Sequence, residues 1–193
     1  MTSFAGEHLV MFEENKISRT GLFVDPSFLQ MFSIPLLQGT SSSLKEIHSI
    51  LLSKKLADVL VGDNPVGKMI RFDNRDQLMI TGVFEDFPPN SEFTNVTILL
   101  PMEYHFSISD ATQKQLHNWE DFSFQCFVLL NDKASAIDTE AKLKNLLYQN
   151  ISGDGKSLKP EGILIPMNRW HLYTEFKNGV TTGGKIQSVW MIG

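Results

Sequence analysis

Gly62-Asp63-Asn64-Pro65-Val66-Gly67-Lys68 comes nearest in this sequence to spelling a chemistry. It is the G-x-x-x-x-G-K frame in which successive backbone amides and a lysine hold phosphates. Met69, however, stands where a serine or threonine would ligate magnesium, and Pro65 lacks an amide donor. The loop also follows a helical pattern and leads into a strand, the reverse of the order a phosphate site needs. The segment is therefore expected to be a structural turn, and no cofactor is expected.

The remaining reactive residues are scattered. His8, His48, His105, His117 and His171 show no H-x-x-x-H pair and no carboxylate at ligand spacing, so no metal centre is expected. Glu85-Asp86 and Glu120-Asp121 have the carboxylates that acid–base catalysis uses, but neighbours on a strand face opposite ways, and such pairs commonly solvate loop edges. Cys126, the single cysteine, excludes an internal disulfide. It lies in the apolar run Phe124 to Leu130 without a nearby basic residue to stabilise a thiolate, which predicts an inert core thiol. Trp170-His171-Leu172-Tyr173 has two readings, a partner contact through Trp170, His171 and Tyr173 or packing at a strand end. No residue is assigned a catalytic role.

These residues sit on a chain of mixed pattern. Apolar runs at His8–Phe12 and Gly21–Val24 predict strands, and Asp25-Pro26 predicts an N-cap with proline at the first helical position. Phe28, Leu29 and Phe32 then share one face, Pro35 ends the helix, and Gly39 to Ser43 reads as a flexible connection. Ser53 predicts the N-cap of a short helix with Leu56, Val59 and Leu60 on its apolar face, and Gly62 its left-handed C-cap. Met69–Phe72 and Leu78–Phe84 predict a hairpin turning at Asp73 to Asp76. Further strands are predicted at Thr94–Leu100, Phe124–Leu130 and Gly162–Pro166. Between the last two, Ser135 and Asp138 predict a capped helix running to Asn150, so residues 124 to 166 read as a strand-helix-strand unit.

The 193 residues are 42% hydrophobic and 20% charged, enough for one core or two small lobes. A net charge of -5, with no basic cluster denser than Lys54-Lys55, argues against nucleic acid as a partner. The internal apolar runs fall far short of the ~18 residues that a bilayer demands.

The order of parts in ILLSKKLADVLVGDNPVGKMIRFDNRDQLMITGVFEDFPP, residues Ile50 to Pro89, is unusual. With VDPSFLQMFSIPLLQGT upstream and LIPMNRWHLY and GGKIQSVWMIG downstream, the chain resembles the MacB-like periplasmic core domain of ABC transporter permeases, in the FtsX-like group. The resemblance covers roughly three quarters of the sequence. It implies an α+β fold in which the chain ends, residues 1–40 and 103–193, form a ferredoxin-like (porter-type) lobe, and residues 41–102 form an inserted β-rich lobe. It also implies that the first lobe is N-terminally truncated, because only seven residues precede His8 where the family carries a further helix and strand. An unpaired sheet edge and self-association are expected to follow.

The functional implication is an extracytoplasmic domain without catalysis of its own, at the bacterial inner membrane and facing the periplasm. Its partners would be a cytoplasmic ATPase subunit reached through membrane helices, a second permease in a membrane dimer, and a periplasmic protein, peptide or lipoprotein. The closing run Ser188 to Gly193, led by a tryptophan, looks like the onset of the second membrane helix, so Lys185, Ser188 and Trp190 are expected next to the bilayer. The alternative is a stand-alone secreted binding module or hydrolase, which needs a clustered polar pocket that the sequence does not display.

Overall fold

Five consecutive buried residues, Ser49-Ile50-Leu51-Leu52-Ser53, form the strand around which the rest of the sheet is laid. A strand flanked on both sides and covered on both faces needs no polar alternation. The computed structural model describes residues 1–170, 173, 175–177 and 180–184. They divide into two compact units, residues 1–128 and 129–193.

In the first unit the order is β1 (Thr2–Ser3), β2 (Gly6–Phe12), β3 (Asn15–Val24), α1 (Phe28–Met31), β4 (Leu36–Gln38) and β5 (Ser49–Ser53). It continues with α2 (Lys54–Leu60), β6 (Met69–Phe72), β7 (Asp76–Phe84), β8 (Ile98–Pro101), α3 (Met102–Ser107), α4 (Asp110–Gln115) and β9 (Phe124–Gln125). β5 pairs parallel with β7 and antiparallel with β8. β7 pairs with β6, β6 with β2 and β2 with β3, all antiparallel, and β3 returns parallel to β8. Six strands therefore close into a ring, with β1 and then β9 continuing from β3.

Val10 and Phe23, from the N-terminal hairpin, pack inside that ring with Ile50, Leu52, Ile80 and Leu100. The chain has a mixed α+β, sheet-dominated fold. One sheet includes strands from both the 2–24 and the 49–101 segments, and Val10 and Phe23 share a core with Leu56, Ala57 and Leu60 of α2 and with Met102 and Tyr104 of α3.

Several local expectations change for identifiable reasons. Asp25 does not cap α1, whose N-cap is Ser27 with no side-chain bond; the Asp25 carboxylate pairs with the α-ammonium of Met1 instead. On α2, Ser53 accepts from the Leu56 amide at 3.4 Å as expected, and the Gly62 amide donates to the Ala57 carbonyl at 3.0 Å. The buried face of α2 is Leu56, Ala57 and Leu60, while Val59 is 64% exposed.

Gly39 to Ser43 is a fixed turn. Gly39 has φ +92°, the Ser43 hydroxyl donates to the Thr81 carbonyl at 2.8 Å, and the Thr81 hydroxyl donates to the Ser43 carbonyl at 2.6 Å. The expected buried strand over 124–130 pairs only at Phe124 and Gln125, because its partner β1 is two residues long. Cys126 is exposed rather than a core thiol.

The second unit contains α5 (Ala136–Leu143), α6 (Leu146–Asn150), a 3₁₀ turn at Gly153–Leu158, α7 (Met167–Trp170) and a hairpin of β10 (Glu175–Lys177) with β11 (Val180–Gly183). Ser135 caps α5, its hydroxyl accepting from the Asp138 amide at 3.2 Å. The expected single helix to Asn150 is interrupted between Leu143 and Leu146. The Lys144 carbonyl there accepts from the Gly162 amide at 2.9 Å, and the Glu140 carboxylate accepts from the Leu164 amide at 3.0 Å. Residues 162–166 thus dock on a helix end and do not form the expected strand. Among the described residues no helix is long and apolar enough to cross a membrane.

Candidate functional site

Two segments far apart in the sequence meet where β4 and β7 part. Leu36 pairs with Phe84, and the Glu85 amide donates to the Pro35 carbonyl at 3.0 Å. Pro35 has no amide with which to continue the ladder. Beyond it the chains diverge and enclose an open groove of about 330 Å³, lined by Phe32, Ser33, Ile34 and Pro35 on one side and Glu85, Asp86, Phe87 and Pro88 on the other.

The walls are held by aromatic packing. The Phe32 ring packs tilted against Phe28 at 4.6 Å and edge-on to Phe93 at 5.2 Å, and Phe87 lies 5.5 Å from both Phe84 and Phe93. Buried Phe93 joins the two sides. Glu85 is exposed; Asp86 is half-buried and accepts from the Lys55 amide at 3.2 Å. An apolar wall with carboxylates at its rim can bind a ligand that combines an aliphatic stem with a cation.

The phosphate-loop lookalike is occupied by its own fold. The Gly67 amide donates to the Ile80 carbonyl at 2.8 Å and the Lys68 amide to the Pro65 carbonyl at 3.2 Å. The Lys68 ammonium donates to the Asp63 carbonyl at 2.9 Å and lies 5.3 Å from the centre of the Phe12 ring.

Polar groups elsewhere form structural clasps. The Tyr104 hydroxyl donates to the Asp76 carboxylate at 2.6 Å, and the same oxygen accepts from Arg75 Nε at 2.8 Å. These bonds hold Asp76 below the usual carboxylate range. Burial, reinforced by the Asp76 carboxylate, pushes the Tyr104 hydroxyl up to about 12. The clasp ties α3 to the β6–β7 hairpin.

His8 bonds Asp73 at 2.8 Å through Nδ1 and packs edge-on to Phe23. His105 bonds Gln115. Glu120-Asp121 does not act as a pair, since Asp121 accepts from the Ser123 amide and hydroxyl, which hold its carboxyl low. Among the described residues no group of three or more histidine, cysteine, aspartate or glutamate side chains could hold a metal.

Of the residues singled out for partner contact, Trp170 ends α7, and Tyr173 lies 5.6 Å beneath the Arg169 guanidinium. Tyr173 also lines a hollow of about 160 Å³ with Glu140, Ile163 and Phe176. His171, Lys185, Ser188 and Trp190 lie outside the described residues. The groove escaped sequence reading as a site, although both of its walls fall within the motif segments quoted above.

A family model described as the MacB-like periplasmic core domain matches residues 2–146. Among solved structures, a domain of a protein described as a permease from Porphyromonas gingivalis is similar with a TM-score of 0.64 at 25% identity. The match covers 79% of this chain and 70% of that one. The periplasmic region of MacB from Actinobacillus actinomycetemcomitans shares the fold, with a TM-score of 0.54 at 14% identity, over 82% of this chain and 66% of its own. No curated protein matches the chain significantly.

Proposed function

The chain belongs to the MacB-like periplasmic core domain family, and from that premise we propose that it transmits the ATP-driven motion of a permease to substrates or partners outside the cytoplasmic membrane. It is a MacB-like periplasmic domain of an ABC-type transporter permease. The match across residues 2–146 carries the proposal. In this reading the domain is mechanical. Hydrolysis occurs in a cytoplasmic ATPase subunit, two permeases pair in the bacterial inner membrane, and this chain faces the periplasm, where it meets a protein, peptide or lipoprotein.

The porter-type, ferredoxin-like part of the reading draws support from β1. That strand lies antiparallel to both β3 and β9 and so brings the start of the chain beside residues 124–125. Lys185, Ser188 and Trp190 would lie next to the bilayer, where the basic Lys185 and the aromatic Trp190 suit an interface. Trp170, His171 and Tyr173 would offer a partner contact.

The test is ATP hydrolysis by the full-length permease with its ATPase subunit in proteoliposomes. Deleting residues 2–146 is expected to preserve nucleotide binding while abolishing stimulation of hydrolysis by the transported substrate. Stimulation that survives the deletion overturns the coupling role.

A further inference from the structure

We propose that the groove between Phe32–Pro35 and Glu85–Pro88 docks a basic side chain, arginine or lysine, carried on an extended segment of a partner protein. Its aliphatic stem lies against Phe32, Ile34 and Phe87, and its cation meets Glu85 and Asp86. This adds a partner chemistry to the permease reading above.

Three features of the site select this occupant. The first is charge. Glu85 is exposed and its carboxylate makes no bond among the described residues, while Asp86 engages one carboxylate oxygen with the Lys55 amide. An acidic segment would be repelled here, and a purely apolar one would strip water from two carboxylates without compensation. A guanidinium or ammonium group satisfies both and gains from aromatic faces beside it. The net charge of -5 draws cationic segments toward the chain as a whole.

The second feature is shape. About 330 Å³ sits at the lower end of ligand-sized pockets, suited to one long side chain with its flanking backbone. Phe93 ties the two walls together through ring contacts of 5.2 Å and 5.5 Å, so the groove exists before a partner arrives.

The third feature is the neighbouring edge. β4 pairs with β7 along one side, and among the described residues no strand pairs with its other side. Leu37, in the middle of β4, is 50% exposed. An extended segment adding to β4 gains main-chain hydrogen bonds, and the groove at the end of β4 reads one of its side chains.

The probe is an N-acetylated, C-amidated hexapeptide of sequence Thr-Val-Arg-Val-Thr-Val, set against the same peptide with citrulline in place of arginine. Each is titrated into the 193-residue chain by amide-resolved NMR. The arginine peptide is expected to shift the Ile34, Glu85 and Phe87 amides and to bind about tenfold tighter than the citrulline peptide. Glu85→Gln should erase that margin with the rest of the spectrum unchanged, and Glu14→Gln, remote on the β2–β3 turn, should preserve it. Equal affinity for the two peptides, shifts that map elsewhere, no binding at millimolar peptide, or a margin that survives Glu85→Gln each overturn the proposal. Because the titration uses this chain alone, its failure leaves the coupling measurement on the whole permease untouched.

Discussion

Leu52 in β5 and Ile137 in α5 are both aliphatic residues in regular elements, yet the first is 0% exposed and the second 81%. The contrast extends to the units that contain them. In residues 1–128, strands distant in sequence close around Leu52, Ile80 and Leu100. In the second unit Ile151 is the only buried large hydrophobic among the described residues, while Leu158 is 81% exposed and Met167 51%. Both regions have caps, breakers and apolar periodicity. What separates them is whether an apolar face meets a partner from elsewhere in the chain, since periodicity creates such a face and tertiary contact gives it most of its stability.

Core truncation gives the largest expected difference between the units. Leu52→Ala should lower stability by about 3 kcal/mol, whereas Leu158→Ala should stay within about 0.5 kcal/mol. Urea unfolding followed by circular dichroism measures both, and similar losses would erase the distinction.

Glycines extend the test to the backbone. A Cβ on Gly39 would lie 2.5 Å from the Thr81 carbonyl oxygen at φ +92°, while one on Gly153, at φ +59°, would meet nothing within 4 Å. Gly39→Ala is therefore expected to cost about 2–3 kcal/mol and Gly153→Ala about 1 kcal/mol, with midpoints from the same titration.

The Tyr104–Asp76 clasp belongs only to the first unit and makes that unit's stability depend on pH. Tyr104 is raised from 10.0 to about 12, so its neutral form is favoured by folding. Its contribution is complete below pH 10 and is lost as pH climbs toward 12, on the order of 2 kcal/mol. Asp76 is lowered from 3.8, so its share is present above that value and disappears as pH falls through its folded value. Tyr104→Phe should flatten the alkaline loss in thermal melts, and an unchanged alkaline limb would show that other groups cause it.

The smallest expected signal is none. Calorimetric titration of Mg-ATP into the chain should show no saturable heat, because Lys68 and the Gly67 amide are already bonded within the first unit. Micromolar binding abolished by Lys68→Ala would restore the phosphate-loop reading.

Legibility in the sequence followed the range of the interactions. The Ser53 cap, the Gly62 terminus and the β6–β7 hairpin are set by neighbours a few residues apart, and all three were readable. β5 was missed, because the three-residue apolar run Ile50-Leu51-Leu52 between two serines is as compatible with a buried helix segment as with a central strand. Val59 was assigned to the buried face of α2 on spacing alone, but packing against the sheet selects Ala57 instead. The Gly39–Ser43 turn has the composition of a linker, yet Ser43 and Thr81 exchange two hydrogen bonds across 38 residues. The groove was illegible for the same reason, since it exists only once Pro35 and Glu85 are paired.

The strand ring also imposes a schedule on folding. Its β2–β3 hairpin is local and can form within microseconds. Closure waits for β8, whose neighbour Thr97 reaches the Thr20 carbonyl from 77 residues further along the chain. A topology with contacts this distant folds slowly, on the order of milliseconds to seconds. During synthesis, the early hairpin must therefore persist with bare edges until residues beyond Pro101 emerge, and such edges recruit foreign strands. Holdase chaperones acting in that interval are thus expected to engage residues 6–24.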